Sequence, residues 1–222
     1  MNIILFGTTG MVGQGVLREC LLDPDVERVL SVGRNTIGRQ HPRLRECLQA
    51  DLFDLAPIEK QLQGYDACFF CLGVSSVGMT EEAYRHVTYD LTLSVAQTLA
   101  RPNPGMTFIY VSGAGTDSSE RGRSMWARVK GATENALLRL PFKAACMFRP
   151  GAIVPLHGIT SKTRIYRIVY ALMRPFWRPL RAAFPQAITT TEQLGRAMLS
   201  VARAGAPKAI LESADINALP QK

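Results

Sequence analysis

The chain has 222 residues, of which 47% are hydrophobic, 20% charged and 8% aromatic. That composition supplies a globular core and excludes collagen-like, low-complexity and wholly disordered chains. Five scattered cysteines (Cys20, Cys47, Cys68, Cys71 and Cys146) exclude a disulfide scaffold. The net charge of +8 is concentrated: between Glu134 and Glu192 lie nine Lys and Arg residues and no acid, which leaves −1 on the rest of the chain. A uniformly basic nucleic-acid binder does not have this distribution, so no nucleic-acid partner is expected.

Residues 2–6 form a short apolar run closed by Gly7 and read as a buried strand. No basic segment precedes that run, and no apolar stretch approaches the roughly 18–20 residues of a membrane span. A reducing, cytoplasmic compartment is therefore expected. Residues 11–22 carry Val12, Val16, Leu17, Cys20 and Leu21 on one side of a helix that Asp23-Pro24 ends. Residues 28–32 read as a second strand closed by Gly33, residues 45–49 as a third, and residues 67–72 as a buried strand stopped by Gly73. A long helix follows over 81–100, a strand over 106–111, a helix over 123–140 and a strand over 145–148. This alternation predicts an α/β fold built on a doubly wound parallel sheet, Rossmann-like, with right-handed crossovers. No repeat or linker divides the chain. It reads as a single domain over 1–222, with a helical C-terminal extension over 155–222 that covers a substrate cleft.

The first strand runs into Gly7-Thr8-Thr9-Gly10-Met11-Val12-Gly13, a G-x-x-G-x-x-G turn that opens a helix. Glycine permits the tight turn and lets a pyrophosphate approach the backbone, while the helix N-terminus offers N–H groups to the phosphates. The ribose-reading position falls about 20 residues further on, at Gly33-Arg34. No acid stands there for a 2′-hydroxyl, and Arg34 suits a 2′-phosphate. NADP(H) is therefore expected in preference to NAD(H), with Arg39 a second phosphate candidate and Asp51-Leu52 flanking the adenine. Ligands of such sheets bind beyond the carboxyl ends of the strands. That rule predicts one crevice lined by residues 7–13, 73–76, 112–115 and 150–154, with Leu72, Gly73, Pro150 and Gly151 at the cofactor.

Gly7 to Gly13, Cys71-Leu72-Gly73, Ser112, Lys130-Gly131, Arg149-Pro150-Gly151, Arg196-Ala197-Met198 and Leu211-Glu212-Ser213 together resemble the short-chain dehydrogenase/reductase superfamily. Order and spacing look most like its atypical branch, near the HIV Tat-interacting protein family. The resemblance implies a nicotinamide-dependent oxidoreductase or epimerase acting on a small carbonyl or sugar-like molecule. In that superfamily a serine binds the substrate carbonyl, and a tyrosine four residues before a lysine is the acid/base. The lysine lowers the tyrosine pKa and holds the nicotinamide ribose. The resemblance gives Ser112 and Lys130 the serine and lysine roles. The tyrosine position, however, holds Trp126. An indole N–H is a donor only and does not titrate usefully. Tyr89, Tyr110, Ser124 or a water are the open substitutes. Tyr110 shares a strand face with Ser112, a position that equally suits core packing.

Cys68 and Cys71 have C-x-x-C spacing, but on a strand they face opposite sides and read as core residues. His41, His86 and His157 form no metal spacing, and no metal is expected. The segment 162–184 interleaves arginines with Ile165, Ile168, Val169, Leu172 and Met173 at helical spacing, followed by Phe176 and Trp177. It suits a helix over the cleft, a peripheral membrane surface, or a protein or oligomer interface. Two functions remain: an NADP(H)-dependent enzyme of unknown substrate, or a lapsed dinucleotide-binding regulatory scaffold, which Trp126 favours.

Overall fold

Alternate residues of the first strand point to opposite faces, and both faces are apolar. Ile3 and Leu5 enter one core and Ile4 and Phe6 the other, and all four are fully buried. This strand, β1 (Asn2–Phe6), therefore lies inside a sheet covered on both sides. The computed structural model describes residues 1–159, 177, 184 and 186–220. In it β1 is flanked by β2 (Arg28–Gly33), β3 (Leu44–Leu48), β4 (Ala67–Phe70), β5 (Thr107–Val111) and β6 (Ala144–Arg149). Two short strands, β7 (Ala152–Val154) and β8 (Ile188–Thr190), pair apart from the main sheet, and β9 (Ile210–Glu212) closes its far edge. The seven-stranded order is β3-β2-β1-β4-β5-β6-β9, parallel throughout. Strand order reverses between β1 and β4, and a crevice opens there beyond the carboxyl ends.

On one face α1 (Met11–Leu22) lies against α5 (Thr191–Ala204). A Cβ on Gly15 would come within 2.5 Å of the Thr191 side chain, so the two helices meet almost backbone to backbone. The C-terminal part of the chain is thereby fixed to the glycine turn. The other face carries α3 (Leu91–Ala100), α4 (Met125–Leu137) and a 3-10 turn over Ala56–Leu62, packed on Phe70, Phe108 and Tyr110. A short last helix, α6 (Ser213–Ala218), follows β9 behind a Glu212–Asp215 capping box.

The sequence reading differs in three places. The helix expected over 81–100 is α2 (Glu81–Arg85), a π turn over His86–Asp90, and then α3. The Thr92 hydroxyl donates to the Thr88 carbonyl at 2.5 Å, a local competitor for the backbone ladder. The helix expected over 123–140 is shorter, starting after Ser124 and ending at Leu137. The extension is not purely helical, since it supplies β8 and β9. The basic aromatic segment 162–184 lies outside the described residues, apart from Trp177 and Phe184.

Candidate functional site

The glycine turn is closed by backbone contact. Gly7 has φ +84°, and a Cβ there would sit 2.6 Å from the Cys71 carbonyl carbon. A Cβ on Gly13 would sit 2.1 Å from the Gly7 carbonyl oxygen. Only glycine lets α1 start this close to the ends of β1 and β4. The N-cap of α1 is Gly10, and no side chain caps it. Its first-turn N–H groups are thus left without side-chain acceptors at the positive end of the helix dipole. A bare backbone cradle of this kind fits the pyrophosphate of a dinucleotide.

Two clefts flank this turn. The central one, about 500 Å³, lies over the order reversal. The glycine turn contributes Gly10, Met11 and Val12; the end of β4 gives Leu72 and Gly73; β5 leads into Ser112. Helix α4 adds Trp126 and Lys130, and the turn after β6 adds Pro150 and Gly151. The second cleft, about 540 Å³, is lined by Thr8 and Thr9 together with Arg18, Arg39, His157 and Ile159. The Thr8 hydroxyl is fixed by Ser31 at 2.7 Å. Of the other expected cofactor residues, Gly7 and Gly13 form the turn itself. Arg34 is exposed and lines neither cleft. Asp51 is exposed and accepts from the Phe53 amide at 2.9 Å, while Leu52 is buried in the core beside Leu55 and Ile58. Arg39 stands where Arg34 does not because the loop after β2 is held by Glu46. That carboxylate accepts from the Ile37 amide at 2.9 Å and the Thr36 hydroxyl at 3.2 Å, and Gly38 then turns the chain at φ +65°.

The polar floor of the central cleft is a buried network. Lys130 donates through Nζ to the Ser112 carbonyl oxygen at 2.6 Å. The Ser112 hydroxyl donates to Glu134, one helical turn beyond Lys130 and fully buried. Arg149, at the end of β6, donates to the same carboxylate through Nε at 3.1 Å and through its terminal nitrogen. It also reaches Glu212 at 3.3 Å and the Ser118 hydroxyl at 2.5 Å. Burial pushes the Lys130 amine down to about 8, against a smaller opposing pull from Glu134. Hydrogen bonds donated to Glu134 hold the Arg149 guanidinium firmly charged. Sequence reasoning missed Glu134. The available signal was its i+4 position relative to Lys130 on a helix otherwise poor in charge.

The indole of Trp126 packs toward the loop after Ser112, 3.5 Å from where a Cβ on Gly115 would lie. None of the side chains expected as substitute donors lines the cleft. Tyr110 is 1% exposed, its hydroxyl is bonded to Thr133, and burial pushes its pKa far above the ordinary phenol value. Tyr89 stacks under Arg85 at 4.0 Å and Ser124 is exposed at the start of α4; neither lines the cleft. Cys68 and Cys71 face opposite cores. Among the described residues no three His, Cys, Asp or Glu side chains are grouped to hold a metal, and no helix is long and apolar enough to cross a membrane.

No family model matches the chain. It is 27% identical over 159 residues to the mitochondrial protein fmp52 of Emericella nidulans, covering 68% of this chain and 66% of that protein. It is 26% identical over 155 residues to HTATIP2 of Rattus norvegicus, covering 69% of this chain and 63% of that one. The match thus spans slightly less than two thirds of these relatives' own length. Among solved structures it resembles the Bordetella bronchiseptica enzyme WbmF in complex with NAD+ (TM-score 0.66, 15% identity, 97% of this chain and 76% of that one). It also resembles the ADP-L-glycero-D-manno-heptose-6-epimerase of Helicobacter pylori (TM-score 0.68, 17% identity, 95% of this chain and 76% of that one). The cytoplasmic expectation is overturned by the first of these likenesses, because the matched fungal relatives are mitochondrial proteins by name. That expectation rested on the lack of a secretory segment, which carries no information about organelle import.

Proposed function

We propose that this chain, which resembles the atypical short-chain dehydrogenase/reductases in fold and in sequence, is a nicotinamide-dependent oxidoreductase. The observation that carries the reading is the uncapped, glycine-closed start of α1 opening onto a cleft that also holds Ser112 and Lys130. The first-turn N–H groups of α1 hold the pyrophosphate, and Leu72, Gly73, Pro150 and Gly151 border the nicotinamide half. Lys130 holds the nicotinamide ribose. Bound there, the dinucleotide supplies a hydride donor or acceptor. The substrate class is a carbonyl or sugar-like molecule entering beside Ser112 and Trp126.

The preferred form is NADP(H), with the 2′-phosphate in the cleft beside Thr8 and Thr9. Arg39 carries the recognition, supported by its place among the residues lining that cleft and by the lack of any acid among the described residues that line it. Arg34 adds only long-range charge. The test is a side-by-side titration with NADPH and NADH followed by tryptophan fluorescence. NADPH binds more tightly than NADH, and Arg39→Ala removes that preference, whereas Arg34→Ala changes it less than about threefold, as a solvent-screened charge does. Equal affinity for both nucleotides refutes the 2′-phosphate assignment. No binding of either refutes the site. The second reading is a dinucleotide-sensing scaffold without turnover, favoured by Trp126 in place of tyrosine.

A further inference from the structure

Only two side chains among the described residues lining the central cleft exchange a proton in water, Cys71 and Lys130. Cys71 is packed against the core, and burial pushes its thiol well above the ordinary range. The Ser112 proton is directed away from the cleft, to Glu134. Trp126 has a donor N–H that does not titrate. Lys130 is different. Its ammonium has three N–H donors, and one of them is placed on the Ser112 carbonyl oxygen at 2.6 Å. That bond anchors the nitrogen beside Ser112, and both residues line the cleft.

We infer that Lys130 is itself the proton-exchanging group of this cleft, taking the part that a tyrosine plays in the wider superfamily. The inference rests on the cleft being a nicotinamide site. In the reducing direction the substrate carbonyl carbon accepts the hydride pair from a reduced nicotinamide dinucleotide. The carbonyl π pair moves to oxygen, and an N–H bond of the Lys130 ammonium breaks to protonate that oxygen. The products are an alcohol, the oxidised dinucleotide and a neutral amine, which regains its proton from water. Oxidation runs the same steps backwards.

The surroundings suit an amine that changes charge. Glu134 lies one turn further along α4, but Arg149 and Ser112 already occupy it. Tyr110 on β5 presents its ring 5.8 Å from Nζ and turns its hydroxyl to Thr133; Tyr84 on α2 is buried behind it. Of the charges on α2 and the π turn, Glu81 pairs with Arg128, His86 with Asp90 and Arg85 stacks on Tyr89, and neither these nor Glu82 line the cleft. With no free carboxylate close by, burial dominates and brings the amine to about 8.

The decisive measurement is proton linkage to nucleotide binding. NADP+ and NADPH carry the same phosphates, but the oxidised ring bears a positive charge. A displacement of the Lys130 pKa by about one unit, from about 8, makes NADP+ binding at pH 7.5 release about 0.5 proton per nucleotide. NADPH binding releases almost none. Calorimetry in buffers of different ionisation enthalpy reads this difference. In Lys130→Arg the charge is kept but cannot be given up, so the difference falls below about 0.1 proton per bound nucleotide. In Lys130→Met it vanishes as well. A difference that survives in Lys130→Arg, or its absence in the wild type while both nucleotides bind, overturns the proposal alone. Failure of either nucleotide to bind overturns the nicotinamide reading and the proposal with it. A direct check needs no nucleotide: in protein carrying ¹³C-labelled lysine, the Cε resonance missing from Lys130→Met titrates with a midpoint near 8. A midpoint above about 10, the ordinary lysine value, overturns the proposal.

Discussion

Replacing Arg149 by methionine removes the main partner of a carboxylate that has no contact with water. Glu134 is 0% exposed and accepts from two nitrogens of Arg149 and from the Ser112 hydroxyl. After the substitution only the serine remains, and the charge is buried without compensation. Breaking such a pair from the cationic side costs about 3–5 kcal/mol. Glu134→Leu is the milder change, because Arg149 keeps Glu212, 47% exposed, and the Ser118 hydroxyl. It forfeits a charge-assisted bond worth about 1.5–3 kcal/mol. The double substitution Glu134→Leu with Arg149→Met replaces the pair by apolar volume and lands within about 2 kcal/mol of the wild type. The expected coupling between the two sites is therefore large and favourable, above about 2 kcal/mol. Urea unfolding followed by circular dichroism at pH 7.5 measures all four corners of the cycle. Additive costs, or an Arg149→Met loss below about 1 kcal/mol, would refute the view that this pair is buried and mutually dependent.

Three further outcomes follow from the same geometry. Gly131→Ala places a methyl 1.8 Å from the Asp117 carbonyl oxygen, so the loop over 115–122 must leave α4; a thermal melt lowered by several degrees and a weakened nucleotide titration are expected. Lys130 has its folded-state pKa lowered to about 8, below the unfolded value near 10.4. The unfolded chain therefore binds more protons between those values, and stability rises with pH from about 8 to 10. Lys130→Met removes that part of the slope in urea unfolding, and an unchanged slope contradicts the burial argument. Glu192 has its pKa lowered first by the hydrogen bond from His157, at 2.6 Å, and then by Arg196. The stability it contributes is present above the ordinary carboxylate range and lost as pH falls through the lowered value. His157→Ala moves that acid limb toward higher pH, and a limb that stays in place removes His157 as the cause.

The sheet was legible because its strands are apolar on both faces. Residues 3–6 and 67–70 leave no polar side for solvent, so burial between helices is the only arrangement open to them. The crevice was legible because glycine must stand where backbones touch, and Gly7 and Gly13 do so. What escaped the sequence depends on where a loop ends up. The choice between Arg34 and Arg39 turns on Glu46 binding the chain at Thr36 and Ile37, a contact between a strand and the loop after its neighbour that has no local signature. The strand β9 has three residues, too few for any periodicity, and exists because β6 offers an open edge to pair with. The Glu134–Arg149 pair joins a helix to a strand, and each residue alone reads as an ordinary surface charge.

Trp126 and the behaviour of Lys130 are linked through solvation. A phenol at that position would offer the lysine a hydroxyl partner and, when ionised, a negative charge, both of which favour the ammonium. An indole ring lining the same cleft, one helical turn before Lys130, offers no acceptor and presents apolar surface instead. Trp126 thus raises the cost of keeping the neighbouring amine charged. Lys130 does not need the lost phenol for its place, because the Ser112 carbonyl oxygen anchors it. Ser112 is itself fixed by Glu134, and Glu134 by Arg149. A lysine held by backbone, beside an apolar ring and with burial outweighing the pull of Glu134, has its pKa lowered to about 8. On the proposed reading, Trp126 therefore favours Lys130 as the proton donor of the cleft.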